Sequence, residues 1–203
     1  MFQVTRPTPE QINAFLDAQR TAEFSYTELG ATRSEPAPAG YDVDQNRVKL
    51  GSGEDVFHRA VAALRSWRMT TLGWSTTHPA MAPISPGTVV AVVVRHYGFW
   101  SMNACRIVYV FDEDTRDARR TGFGYGTLRE HGEIGEERFT VEWLRAEDSV
   151  WYAVRAFSRP GHLLTRLGYP LGRRLQRRFA RESKQAMVAA ATTTPFLNGQ
   201  CAS

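Results

Sequence analysis

The sequence predicts an α+β fold, with one antiparallel sheet of six or seven strands and a long C-terminal helix laid over it. Three observations predict it. The apolar period is helical as far as Trp67, drops to two residues from Thr71, and becomes helical again after Pro160. The strand-like runs are separated by short turn signals, and short connections imply antiparallel pairs because parallel ones need long crossovers. A single sheet has one apolar face to bury, and the last helix carries a stripe that can cover it.

The elements follow in order. Thr8 and Pro9 form an N-cap and first-turn pair, and Ile12, Phe15, Leu16 and Gln19 recur at helical spacing, so a helix is expected over 8–24. Pro36 and Pro38 mark a loop, and a strand is expected around Arg47–Leu50. Ser52 or Gly53 caps a second helix, with Glu54 and Asp55 in the first turn where the helix dipole favours acids. Its stripe is Val56, Phe57, Ala60, Val61, Leu64 and Trp67. Strands are expected at Leu72–His78, Thr88–His96, Trp100–Phe111, Thr121–Glu130, Glu137–Arg145 and Ser149–Ser158. The C-terminal helix is expected over 161–191, kinked or restarted at Pro170, with a frayed tail over 192–203. On its wheel Leu171, Leu175, Phe179 and Ala186 turn inward, while Arg173, Arg177, Arg181 and Lys184 turn outward. No repeat or low-complexity tract is visible, so the 203 residues are read as one domain.

Composition excludes whole classes. Apolar residues are 42% and charged residues 23%, ordinary globular usage that rules out disorder and collagen-like repeats. The longest apolar run, Thr88 to Val94, is strand-sized and far too short to span a bilayer as a helix. The first residues lack the layout of a secretory signal, and a cytoplasmic location is expected. Cys105 and Cys201 are too few for a disulfide scaffold and wrongly spaced for zinc. The net charge of +4 is uneven: from Arg155 to Lys184 there are nine basic residues against Glu182 alone, a local +8. Such a segment is either a solvated helix face or a docking surface for phosphates and anionic lipid.

Several residues stand out chemically. Gly122, Gly124 and Gly126 lie on one face of a strand and admit a close neighbour, the long helix or a ligand; Phe123, Tyr125 and Thr127 face the other way. Strict alternation puts Asn103, Cys105, Ile107, Tyr109 and Phe111 on one face and Arg106 among apolar residues on the other. A buried Arg106 needs a carboxylate such as Glu142, or the polar end of a ligand; the alternative is an arginine on the exposed face. Cys105 reads as a small buried residue with no base nearby to activate it. His131, Glu133, Glu136 and Glu137 are the best acid–base or metal constellation, but a Gly-bounded turn is wet and leaves them unperturbed. No metal site and no cofactor is expected.

Taken together, Gly40-Tyr41-Asp42, Arg47 to Gly51, Trp67-Arg68-Met69, Asn103 to Val110, Phe123 to Leu128, Gly135 to Phe139, Val150-Trp151-Tyr152, Phe157 to Pro160 and Arg166 to Pro170 make up a specific pattern. The chain resembles, from about Phe24 to Met187, an uncharacterised bacterial and plant family known only as a domain of unknown function. That family is similar to the helix-grip group, which includes START lipid-transfer and birch-pollen-allergen-like domains. The resemblance implies a curved antiparallel sheet of six or seven strands wrapped around the C-terminal helix, with a cavity between them; it does not imply one chemistry. The strand entering the helix should then line the cavity with one face, either Tyr152 and Ser158 or that of Arg155 with Trp151 and Phe157.

The expected function is therefore binding of an apolar or amphipathic, lipid-like molecule, with Asn103, Arg106, Tyr125, Glu142, Tyr152, Arg155, Ser158 and Arg159 as its polar contacts. Two alternatives stand beside it: an enzyme of unassigned reaction in the same cavity, and docking of the basic helix on nucleic acid or, as a peripheral contact, on a membrane. Nucleic acid is the poorer partner, because stacking aromatics on that helix are sparse.

Overall fold

A computed structural model describes residues 1–161 and 169–193. A curled antiparallel sheet runs in the order β2 (Asp42–Ser52), β8 (Ser149–Pro160), β7 (Glu133–Leu144), β6 (Ala118–Thr127), β5 (Trp100–Asp114), β4 (Val89–Arg95), β3 (Ser75–His78). The two-residue β1 (Phe2–Gln3) pairs with β5 through Phe2 and Ser101. The helices are α1 (Pro9–Gln19), α2 (Glu54–Arg65) and α3 (Tyr169–Thr192). This is the curved sheet around a C-terminal helix that the resemblance implies, with α3 packed against β2, β8 and α2 on the concave side. The expected helical residues 161–168 and most of the expected tail lie outside the described residues, except Gly161; Pro170 sits in the first turn of α3.

Local chemistry explains the element ends. Thr8 forms a capping box with Gln11: the Gln11 amide donates to Thr8 Oγ1 at 3.3 Å, and the Thr8 amide to Gln11 Oε1 at 2.9 Å. Helix α1 stops at Gln19, not Phe24, which instead bridges to Leu128. Ile12, Phe15 and Leu16 pack on Ala91, Val93, Met102 and Ala104, placing α1 against the convex face of β4 and β5. Gly53 caps α2 at φ +88°, a conformation that favours glycine.

A bulge changes the expected facing of β5. The register with β6 shifts between Ile107 and Tyr109, so Ile107 packs in the concave core while Tyr109 and Phe111 turn to the convex side. Their rings cover the glycine row: a Cβ on Gly124 would lie 2.5 Å from the Tyr109 ring, one on Gly122 2.6 Å from Phe111, and one on Gly126 2.0 Å from the Tyr26 hydroxyl. The close neighbour those glycines admit is thus neither α3 nor a ligand.

The concave side has two unlike halves. Under α2 and the C-terminal part of α3 it is solid: Trp67, Phe57, Phe123, Phe139, Met187 and Ala191 are all at most 1% exposed. Trp67 meets Phe123 at 5.1 Å and donates its indole N–H to the Ala82 carbonyl at 2.9 Å. Under the N-terminal part of α3 the sheet is not filled.

Candidate functional site

The unfilled half is a cavity of about 560 Å³ between β2, β4–β8 and α3. Val92, Val94, Val154, Ala156, Leu175 and Phe179 supply apolar walls. Polar groups come from the same strands by alternation: Asn103, Tyr125, Thr127, Glu133, Glu137 and Ser158, with Gln176 from the helix.

The carboxylates owe their place to the start of β7. The strand begins at Glu133, not Glu137, so Glu133 and Glu137 share one face and enter the cavity, while the Glu136 carboxylate reaches Tyr26, Gly30 and Thr32 on the other side of the sheet. Tyr125 donates its hydroxyl to Glu137 Oε2 at 2.9 Å. Burial pushes the Glu137 carboxyl up to about 7; the nearby Glu133 and Asp44 charges push the same way, and the Tyr125 bond opposes them. Glu133 is also raised, first by burial and then by Asp44, against the pull of Gln176, Arg173 and Ser158. Gln176 donates to Glu133 Oε1 at 2.7 Å and receives an Arg173 N–H at 2.6 Å, and Arg173 holds Asp44 in a two-pronged pair at 2.5 and 2.9 Å. Neither Glu133 nor Glu137 forms an ion pair within 4 Å among the described residues.

Glu136 is a different case. It accepts hydrogen bonds from the Tyr26 hydroxyl at 2.7 Å, the Gly30 amide at 2.7 Å, the Thr32 amide at 3.0 Å and the Thr32 hydroxyl. It therefore tethers the 24–33 segment to the convex face and is saturated.

Of the eight residues chosen from sequence, Asn103, Tyr125 and Ser158 line the cavity. Asn103 donates to Ser101 Oγ at 2.8 Å, and Ser158 accepts from Gln176 at 3.3 Å. Tyr152 shares their face but is sealed in the solid half, its hydroxyl 2.8 Å from Ser183 Oγ. The other four point away. Arg106 donates to the Gln19 and Arg20 carbonyls at 3.2 and 3.0 Å, closing the C-terminal end of α1, where a cation meets the negative pole of the helix. Glu142 pairs with Arg47 at 2.6 Å and Arg120 at 2.5 Å, not with Arg106. Arg155 reaches Glu35 at 3.4 Å and Arg159 lies over the Tyr41 ring at 4.6 Å, so the cavity-facing set of β8 is Val154, Ala156 and Ser158.

Other expectations shift with the fold. His131 does not pair with the Glu133 carboxylate: its Nδ1 accepts the Glu133 amide at 2.9 Å, folding the imidazole onto the turn. No cluster of three or more His, Cys, Asp or Glu is placed to hold a metal ion among the described residues. Burial, with Glu137 and Glu133 nearby, pushes the Cys105 thiol up and keeps it inert. On α3, Arg173 and Lys184 turn to Asp44 and Asn46 of β2 and not outward, while Arg177 and Arg181 are exposed at the outer edge of the cavity. Asp44 and Gln176 carried no sequence signal, because their roles need β2 and α3 side by side.

The family model for "Domain of unknown function (DUF1990)" matches residues 25–186. The chain belongs to this family. A UPF0548 protein of Deinococcus radiodurans is 37% identical over 201 residues, covering 94% of this chain and 99% of that one. One from Dictyostelium discoideum is 34% identical over 206 residues, covering 94% and 95%. Among solved structures, Ara h 8.0201 has a TM-score of 0.44 at 11% identity, covering 75% of this chain and 98% of that one. Human STARD10 has a TM-score of 0.44 at 9% identity, covering 93% and 81%. These two likenesses concern the fold alone. No helix among the described residues of this DUF1990 chain is long and apolar enough to cross a membrane.

Proposed function

We propose that the protein binds an amphipathic small molecule between sheet and α3, its apolar part along Val92, Val94, Val154 and Phe179 and its polar end toward Tyr125 and Glu137. The observation that carries this reading is the cavity of about 560 Å³, within the size range of small-molecule pockets, with valine walls and a few convergent polar groups. The neutral fluorophore N-phenyl-1-naphthylamine tests it. One saturable site is expected, lost in Ala156→Trp, which fills the cavity, while the unfolding transition persists. Unchanged binding in Ala156→Trp would place the dye elsewhere and refute the reading.

One observation favours a second reading, catalysis in the same cavity. A carboxylate whose pKa is about 7, held by a tyrosine, exchanges protons at neutral pH as a general base must. Turnover would then rise with pH through that value and vanish in Glu137→Gln. The basic face of α3 is less suited to docking on anions, because Arg173, Arg178 and Lys184 already engage Asp44, Glu182 and Asn46.

A further inference from the structure

Three features of the cavity point in one direction. First, it holds two carboxylates four residues apart on one strand face, and neither is neutralised by a cation within 4 Å among the described residues. Secondly, their partners leave acceptor capacity unused. Among the described residues Glu137 receives only the Tyr125 hydroxyl, on one oxygen, and Glu133 has two neutral donors, Gln176 at 2.7 Å on its Oε1 and the Ser158 hydroxyl. Thirdly, the nearest cation is committed elsewhere: Arg173 faces Asp44 with both terminal nitrogens and acts on Glu133 only from a distance. A buried carboxylate in an apolar setting is costly unless paired, so such a site favours a ligand that brings the missing positive donor.

We propose that the head group recognised here is a protonated amine, seated against the Glu137 and Glu133 carboxylates, with the ligand's apolar body along the valine wall. This rests on the reading of the cavity as an amphipathic-ligand site and specifies the ligand's class. An ammonium has three donors and no acceptor, which suits open acceptor oxygens held by donors on their other sides. A fatty carboxylate brings a like charge, and an alcohol brings one donor and no charge. The groups facing Glu137 are Tyr125 from β6, Cys105 from β5, Tyr152 from β8, Glu133 on its own strand and Asp44 from β2. From α3 the charged neighbours are Arg173, tied to Asp44, and Lys184, on Asn46; Arg177 and Arg181 are exposed at the outer edge. Burial raises the Glu137 carboxyl to about 7, and Glu133 is raised as well. Amine affinity should therefore rise as the pH is raised from 5.5 to 8, since the amine stays protonated while Glu137 ionises.

Three probes of equal chain length decide it: decylamine, decanol and decanoate, titrated into the full-length protein and followed by the fluorescence of Trp74 in the cavity wall. Decylamine is expected to bind about tenfold more tightly than decanoate at pH 8, a margin of the size one charge-assisted contact gives. That margin should shrink several-fold at pH 5.5 and in Glu137→Gln. Tyr125→Phe keeps the ring but removes the donor to Glu137, so it should move the midpoint of the pH dependence upward. Equal affinity for amine and carboxylate at pH 8, or amine binding indifferent to both substitutions, would overturn the amine assignment and leave the cavity reading standing. Failure of all three probes to bind saturably would overturn both.

Discussion

Glu136 and Glu137 are successive residues of β7, yet they belong to two regions with opposite physics. On the convex side, Glu136 is 3% exposed and accepts four hydrogen bonds from Tyr26, Gly30 and Thr32. On the concave side, Glu137 has one donor, an apolar cavity before it and a carboxyl raised to about 7. Both are enclosed by protein. What separates them is not burial but whether the enclosure supplies donors, so the saturated carboxylate secures the fold and the undersupplied one keeps acceptor capacity facing the cavity.

The largest effect that would break this contrast is on the convex side. Glu136→Gln turns an amide N–H₂ toward backbone donors and should cost about 2 to 4 kcal/mol in urea unfolding. A loss below 1 kcal/mol, on the order of a surface change, would mean the four bonds hold nothing in place. Next comes Gly124→Ala, whose Cβ would meet the Tyr109 ring at 2.5 Å, while that ring is pinned by Thr32 and stacked under Arg33. The expected cost is about 1 to 3 kcal/mol, with cavity binding of N-phenyl-1-naphthylamine retained.

Glu137→Gln should act with the opposite sign. The native carboxyl holds its proton up to about pH 7, whereas an ordinary glutamate releases it near 4.5. Between those values the folded state binds more protons than the unfolded chain, so stability falls as pH rises through that window and is flat outside it. The glutamine variant should lack this slope and be more stable than the parent at pH 8 by on the order of 2 kcal/mol, with little difference at pH 4.5. Equal slopes between pH 4.5 and 8 for the two proteins would contradict the raised carboxyl. The smallest effect separates α1 from the cavity. Arg106→Ala should cost about 1 kcal/mol by uncovering the end of α1, and leave dye binding unchanged.

The fold was largely legible because it follows from periodicity. Six strands, two of the helices and the covering α3 appear as changes between period 2 and period 3.6, and each has a buried face that enforces it. The site was legible only in part. Tyr125, Asn103 and Ser158 sit where unbroken alternation puts them. Tyr109 and Phe111 do not, because one extra residue at the β5 bulge moves every later side chain to the opposite face. Glu133 and Glu137 were visible as a cluster, but glycines at 132 and 135 suggest a wet turn, whereas the strand continues through Gly135 at φ +155°. Arg106, Glu142, Arg155 and Arg159 were drawn to the cavity by their charge in apolar strands; each has a partner on the outer face that no local pattern shows.

By itself, the sequence determined the class of fold, the strands and helices, and the solid half of the core, because local propensity and a contiguous apolar face act over a few residues. Only the tertiary structure decided which half stays hollow, that Asp44 and Gln176 join Glu133 there, and which carboxylate is saturated. Those outcomes depend on how far apart β2, β7 and α3 come to rest, and that separation is set by side chains distant in the chain.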